Sequence, residues 1–216
     1  MTHVSIRNVG RLTGVIALTM GTLFGVAPSG TADGIEAEAA GSIDNMMPTA
    51  HYDPPCRRGL VCQTDNAALT YYMDSGGSNK LEDDDKRMVR DVMSGEYNPT
   101  DLSVSYDSTP SWSGDAETDI YYSEGTVSGS DEGFTYCENA GGSGIYKCDQ
   151  QYLKIEPGHW GYGLTCHETG HAVGLLHGDD SMPTVGMQDS RLGCMKKNTS
   201  IEGLGDNQRR NINATY

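Results

Sequence analysis

With 216 residues, 30 acids against 15 bases and a formal net charge of −15, the chain has the length of one domain, with or without processed ends. The acidic balance argues against nucleic acid as a partner, because phosphate binding needs clustered Lys and Arg. Lys196-Lys197 and Arg209-Arg210 are isolated basic pairs and read as solvated surface.

Residues 1–11 hold Arg7 and Arg11 and no acid, residues 12–27 are uncharged, and small residues follow. This pattern predicts a cleaved export signal over 1–32, with the cut after Ala32 and other small residues at Gly30 and within 37–40. A membrane anchor is the rival, but the run is shorter than the ~20 apolar residues of a spanning helix and contains Gly14 and Gly21. Loss of Arg7 and Arg11 with the signal takes the net charge from −15 to −17. The mature chain is expected to be secreted and extracellular, a monomer without stable membrane insertion.

Six cysteines, an even number, lie beyond that cut: Cys56, Cys62, Cys137, Cys148, Cys166 and Cys194. In an exported chain they imply disulfides, and no C-x-x-C spacing suggests a thiolate metal site. Their number does not fix the pairing, but nearest neighbours give Cys56–Cys62, Cys137–Cys148 and Cys166–Cys194.

Residues 33–55 are rich in Gly, Ala and acids, with Pro48, Pro54 and Pro55, and read as a flexible leader or short propeptide. The catalytic domain is then expected over 56–216. Residues 67–74 have strand composition and are stopped by SGGS. Over residues 79–97, Leu81, Met88, Val89, Val92 and Met93 recur at helical spacing; acids crowd the first turn and Gly95 ends the helix. Strand-like pieces follow at 101–107, 118–125, 133–138 and 151–158, with Cys137 and Cys148 placed to staple a hairpin. A second helix is expected over TCHETGHAVGLLHG, with Leu164, Ala172 and Val173 on its apolar side, before an irregular tail.

Three of the chain's six histidines fall in residues 165–180. His167 and His171 are four apart, so on a helix they share a face and can meet one cation at the ~2.0–2.1 Å of zinc–nitrogen bonds. Glu168 is turned roughly 100° from His167, a poor position for a ligand and a good one for a base beside a metal-activated water. Gly174 can take the left-handed conformation that ends a helix, which lets the chain return with His177. Three neutral nitrogens and an open position are what catalytic zinc needs, whereas structural zinc is closed by four protein ligands.

This stretch, HETGHAVGLLH, resembles the H-E-x-x-H-x-x-G-x-x-H signature of the metzincin zinc metallopeptidases, and the small exported chain is similar to their matrixin and snapalysin types. Snapalysin-like enzymes carry Asp where His177 stands. The resemblance implies an α+β fold: a twisted mixed sheet, two main helices, the second bearing the motif, and an irregular C-terminal part. It implies a methionine turn under the metal, for which Met195 is preferred to Met182 and Met187 because a Cys166–Cys194 bridge would tie it to His167. Two residues past Met195 stands Lys197, where some relatives place a tyrosine, so no tyrosine ligand is expected there. It also implies a substrate-pairing edge strand ahead of the motif helix, assigned here to Tyr152, Leu153, Lys154 and Ile155.

The expected activity is peptide-bond hydrolysis of a protein or peptide substrate, with one Zn2+ and with Glu168 as general base and then acid. Asp179 and Asp180 could orient a ligand histidine, replace His177, or join a Ca2+ site; a plain polar turn is the simpler reading. Rival readings are a silent binding module with a structural metal clasp, a zinc peptidase using Glu202 as ligand, and a hydrolase of a non-peptide amide.

Overall fold

The computed structural model describes residues 41–114, 116–141, 144–198 and 202–216; the expected export signal over 1–32 lies outside the described residues. The fold is α+β. Six strands form one sheet: β1 (Gln63–Thr64), β2 (Thr70–Met73), β3 (Ser105–Tyr106), β4 (Ile120–Glu124), β5 (Gly133–Ala140) and β6 (Lys147–Ile155). The order is β1-β6-β4-β2-β3, all parallel, with β5 antiparallel to β6. Helices α1 (Asp83–Val92), α2 (Tyr162–Ala172) and α3 (Asp206–Thr215) complete it.

Alternation in the strands decides which face the helices cover. Tyr71, Met73, Ile120, Tyr122, Leu153 and Ile155 are buried and share one core with Val89, Val92 and Ala172 from α1 and the end of α2. Their neighbours Tyr72, Tyr121 and Tyr152 point the other way and touch ring to ring, at 5.7 Å and 4.9 Å between centroids. A parallel sheet covered on both faces would show near-continuous aliphatic strands; here the second face carries aromatic rings with polar rims.

Helix α1 starts where the acids complement its positive end, with reciprocal capping between Glu82 and Asp85. Gly95 does not end it. The backbone winds on through a π turn, Met93–Tyr97, with Asn98 N–H donating to the Met93 carbonyl. That turn buries Met93, Glu96 and Tyr97.

Other sequence-based expectations change as well. Residues 41–49 are part of the fold and not a flexible leader: Ile43, Met46 and Met47 are buried, and Asp44 and Met46 bridge to Met182 and Leu175. The short apolar set in SIDNMM is too small to show strand periodicity, yet it covers the loop after α2. The tail is not wholly irregular, since α3 buries Asn207, Gln208 and Ile212. Its inner face is mostly amide, with Asn207 exchanging hydrogen bonds with Ile43, so no apolar stripe announced it. Finally, the strand holding Tyr152, Leu153, Lys154 and Ile155 is no edge: β6 pairs with β4 on one side and β5 on the other. The edge is β5, because a hairpin after it folds β6 back into the sheet.

The pairs Cys56–Cys62, Cys137–Cys148 and Cys166–Cys194 are disulfides, with no free cysteine among the described residues. The second staples the β5–β6 hairpin. Three disulfides fit an oxidising compartment, and among the described residues no helix is long and apolar enough to cross a membrane.

Arg209, read from sequence as solvated surface, donates to the Glu96 carboxylate at 2.6 Å and to the Glu96 carbonyl at 2.8 Å. Glu96 also accepts from Tyr162 Oη and Leu204 N–H. One buried carboxylate thus ties the π turn, α2 and α3 together. Cys166 and Cys194 are 28 residues apart, so replacing both by Ala is expected to cost about 3–4 kcal/mol through the freed unfolded chain. Urea unfolding under non-reducing conditions measures it.

Candidate metal centre

Helix α2 begins at Gly161 and is buried along most of its length. Its second half places His167 and His171, one turn apart, on one face. Val173 closes the helix, and Gly174 follows at φ +94°, in the left-handed region. A Cβ there would lie 2.9 Å from Gln63 Cγ and 3.1 Å from Met46 Sδ, so both the turn and the packing demand glycine. The chain then reverses, Leu176 N–H donates to the Asn45 carbonyl, and His177 arrives opposite the helix.

The three Nε2 atoms converge. They stand 3.1 Å (His167–His171), 3.2 Å (His171–His177) and 2.9 Å (His167–His177) apart. Nδ1 of His167 lies 2.7 Å from the Cys194 carbonyl and Nδ1 of His171 lies 2.8 Å from the Leu175 carbonyl. A carbonyl only accepts, so both Nδ1 atoms carry the proton and both Nε2 atoms present lone pairs. Burial lowers all three pKa values, that of His167 to about 4, which keeps the rings neutral near pH 7.

Lone pairs this close repel one another unless a cation lies among them. Zinc at ~2.0–2.1 Å from each of four tetrahedral ligands sets adjacent nitrogens about 3.3 Å apart, close to the observed spacing. The donor set therefore fits a divalent ion of the zinc type, and His167, His171 and His177 form a group that could hold a metal. Cys56, Cys137 and Cys148 also cluster, but their sulfurs are committed to disulfides and offer no thiolate. Asp179 and Asp180 supply no hydrogen bond to His167 or His171, whose partners are backbone carbonyls, and they are outside the metal-compatible group.

The Glu168 side chain meets β5 and lines the same cavity as His167 and His177. It is 4% exposed, and Thr135 Oγ1 donates to its carboxylate at 2.8 Å. Burial raises its pKa to about 7, opposed by the Thr135 hydrogen bond, with nearby Asp131 adding to the rise. A cation held by the imidazoles would draw it back down. At Gly133 a Cβ would come within 2.7–2.8 Å of the Glu168 side chain, so a glycine at the start of β5 makes room for this carboxylate. Sequence reading had no local signal for Gly133 or Thr135, which meet Glu168 across some thirty positions of chain.

Met195 is fully buried and lies beneath α2, where a Cβ on Gly170 would collide with its sulfur. Met182 is 41% exposed and Met187 lines the cleft. The Cys166–Cys194 disulfide fastens this turn to the residue before His167. Lys197 is exposed, as expected of open surface, and Lys196 is half-buried; both line a cavity of about 510 Å3 shared with His167, Glu168 and His177.

Compared with known proteins, the chain matches no family model and no curated protein.

Replacing Gly174 by Ala is expected to cost about 1–3 kcal/mol, from a left-handed φ and a crowded Cβ. Metal affinity should fall with it, because the same turn sets the Leu175 carbonyl and His177. Thermal unfolding and zinc titration of the variant check both; wild-type affinity would show that the turn does not position the ligands.

Proposed function

We propose that the chain is a secreted zinc-dependent endopeptidase of the metzincin kind. The observation that carries this reading is the convergence of three Nε2 lone pairs beside a buried carboxylate, both opening onto one cleft. A metal clasp would need the imidazoles alone; it gives no reason to bury Glu168 against Gly133 and Thr135.

His167, His171 and His177 would hold the ion, and when bound it supplies Lewis acidity that favours ionised water and a polarised carbonyl. Glu168 accepts the proton from the attacking water and returns it to the leaving amine. Thr135 fixes the carboxylate's orientation by donating to Oε2. Met195 and the Cys166–Cys194 disulfide keep α2 seated, so the ligands are held before substrate arrives.

The pairing edge belongs to β5 in this reading. Cys137 exchanges backbone hydrogen bonds with Gly59 and Leu60; nearer the start of β5 the outer side carries no strand among the described residues, and its first residue, Gly133, touches the site. An extended peptide could add there by backbone hydrogen bonds, alongside Glu168.

Glu168→Gln is expected to retain one zinc per chain and lose about 10²–10⁴-fold in kcat on casein-derived peptides. Undiminished cleavage by a zinc-replete E168Q protein would remove Glu168 as the base. Gly133→Ala should leave zinc content intact yet lower kcat, since its Cβ displaces the carboxylate; an unchanged kcat would contradict the assigned contact.

A further inference from the structure

Two cavities meet at Glu168, and their walls differ in chemistry. The smaller, about 240 Å3, is lined by Tyr52, Val61, Phe134 and Leu176 around the metal group, with Asp180 as a further acid in its wall. The larger, about 510 Å3, has Asp131 and Glu132 from the segment entering β5, and Met187, Lys196 and Lys197 from the C-terminal part. Lys196 is held by Glu202 at 3.3 Å. Lys197 has no carboxylate within ion-pair distance among the described residues. Its backbone is pinned on both sides, by Lys197 N–H to the Met187 carbonyl at 3.0 Å and by Gln188 Nε2 to its own carbonyl.

A pinned backbone and an exposed lysine without an ion-pair partner among the described residues, lining the cleft beside the metal group, describe a recognition element. We propose that Lys197 selects peptides bearing a carboxylate side chain next to the cleaved bond, a specificity that rests on the endopeptidase reading. The chain's net charge of −15 would repel acidic substrates as a whole, so a positive point inside the cleft gives local attraction against a negative background. Asp131 stands in the same cavity and acts on both Glu168 and His177. A substrate carboxylate is thereby pushed from the β5 side and drawn to the Lys197 side, which fixes its orientation.

The test uses zinc-loaded protein and peptides that differ at one residue, Glu, Gln or Lys, on either side of the mapped cleavage point. Wild type is expected to show kcat/KM about tenfold higher for Glu than for Gln at one of these positions, narrowing in high salt. Lys197→Glu should invert the order toward the Lys peptide, while Lys80→Glu, on the exposed surface before α1, should leave it unchanged. Binding of the same peptides to the zinc-loaded Glu168→Gln protein gives a second readout. Cleavage with no charge preference, or a preference for Glu that survives in Lys197→Glu, overturns this inference and leaves the endopeptidase reading standing. Charge-selective binding without cleavage by wild type overturns the endopeptidase reading and leaves the carboxylate site.

Discussion

Three imidazole nitrogens brought within about 3 Å of one another are the constraint on which the molecule is organised. Nothing in the imidazoles favours that arrangement; backbone carbonyls hold two of the three rings in it. The carbonyls of Cys194 and Leu175 hold the protonated nitrogens of His167 and His171, and each carbonyl has its own anchor. Cys194 is fastened to α2 by its disulfide and to Gly203 by its N–H. Leu175 is set by the left-handed turn at Gly174 and by the bridge to Met46. A ligand geometry that depends on distant anchors lets the whole fold contribute to metal affinity.

The helix that carries two of these ligands is buried on almost every side, and polar contacts fix it along its length. Tyr97, from the π turn, donates to the Cys166 carbonyl at 2.7 Å, and the Tyr122 hydroxyl meets Thr169 Oγ1 at 2.8 Å. Glu96 adds a third tie through Tyr162. Apolar packing alone tolerates sliding and repacking, whereas hydrogen bonds buried in a core specify one position. Glu168 needs that position, because its space is bounded by the backbone of Gly133.

The local chemistry was legible in the sequence. Spacing placed His167, His171, Glu168, Gly174 and His177 where the structure has them, since i, i+4 geometry and a glycine turn are local facts. Neighbouring cysteines paired as their separations suggested, because short loops close at low entropic cost. What escaped depends on contacts remote in sequence. The leader-like residues 41–49 carry too few apolar residues to show a period, and Tyr52 lines the site only once the chain folds back. The helix Asp206–Thr215 hides its amide-lined inner face in a polar segment. The edge assignment failed at β6, because hydropathy reports a buried strand but not which neighbour lies beside it.

The most direct test of the central claim is X-ray absorption at the zinc edge of the purified, metal-replete protein. Three imidazole nitrogens near 2.0–2.1 Å with no sulfur ligand is the expected result, reduced to two imidazoles or to no bound metal in His171→Ala. A sulfur-containing shell, or a spectrum unchanged by that substitution, would contradict it.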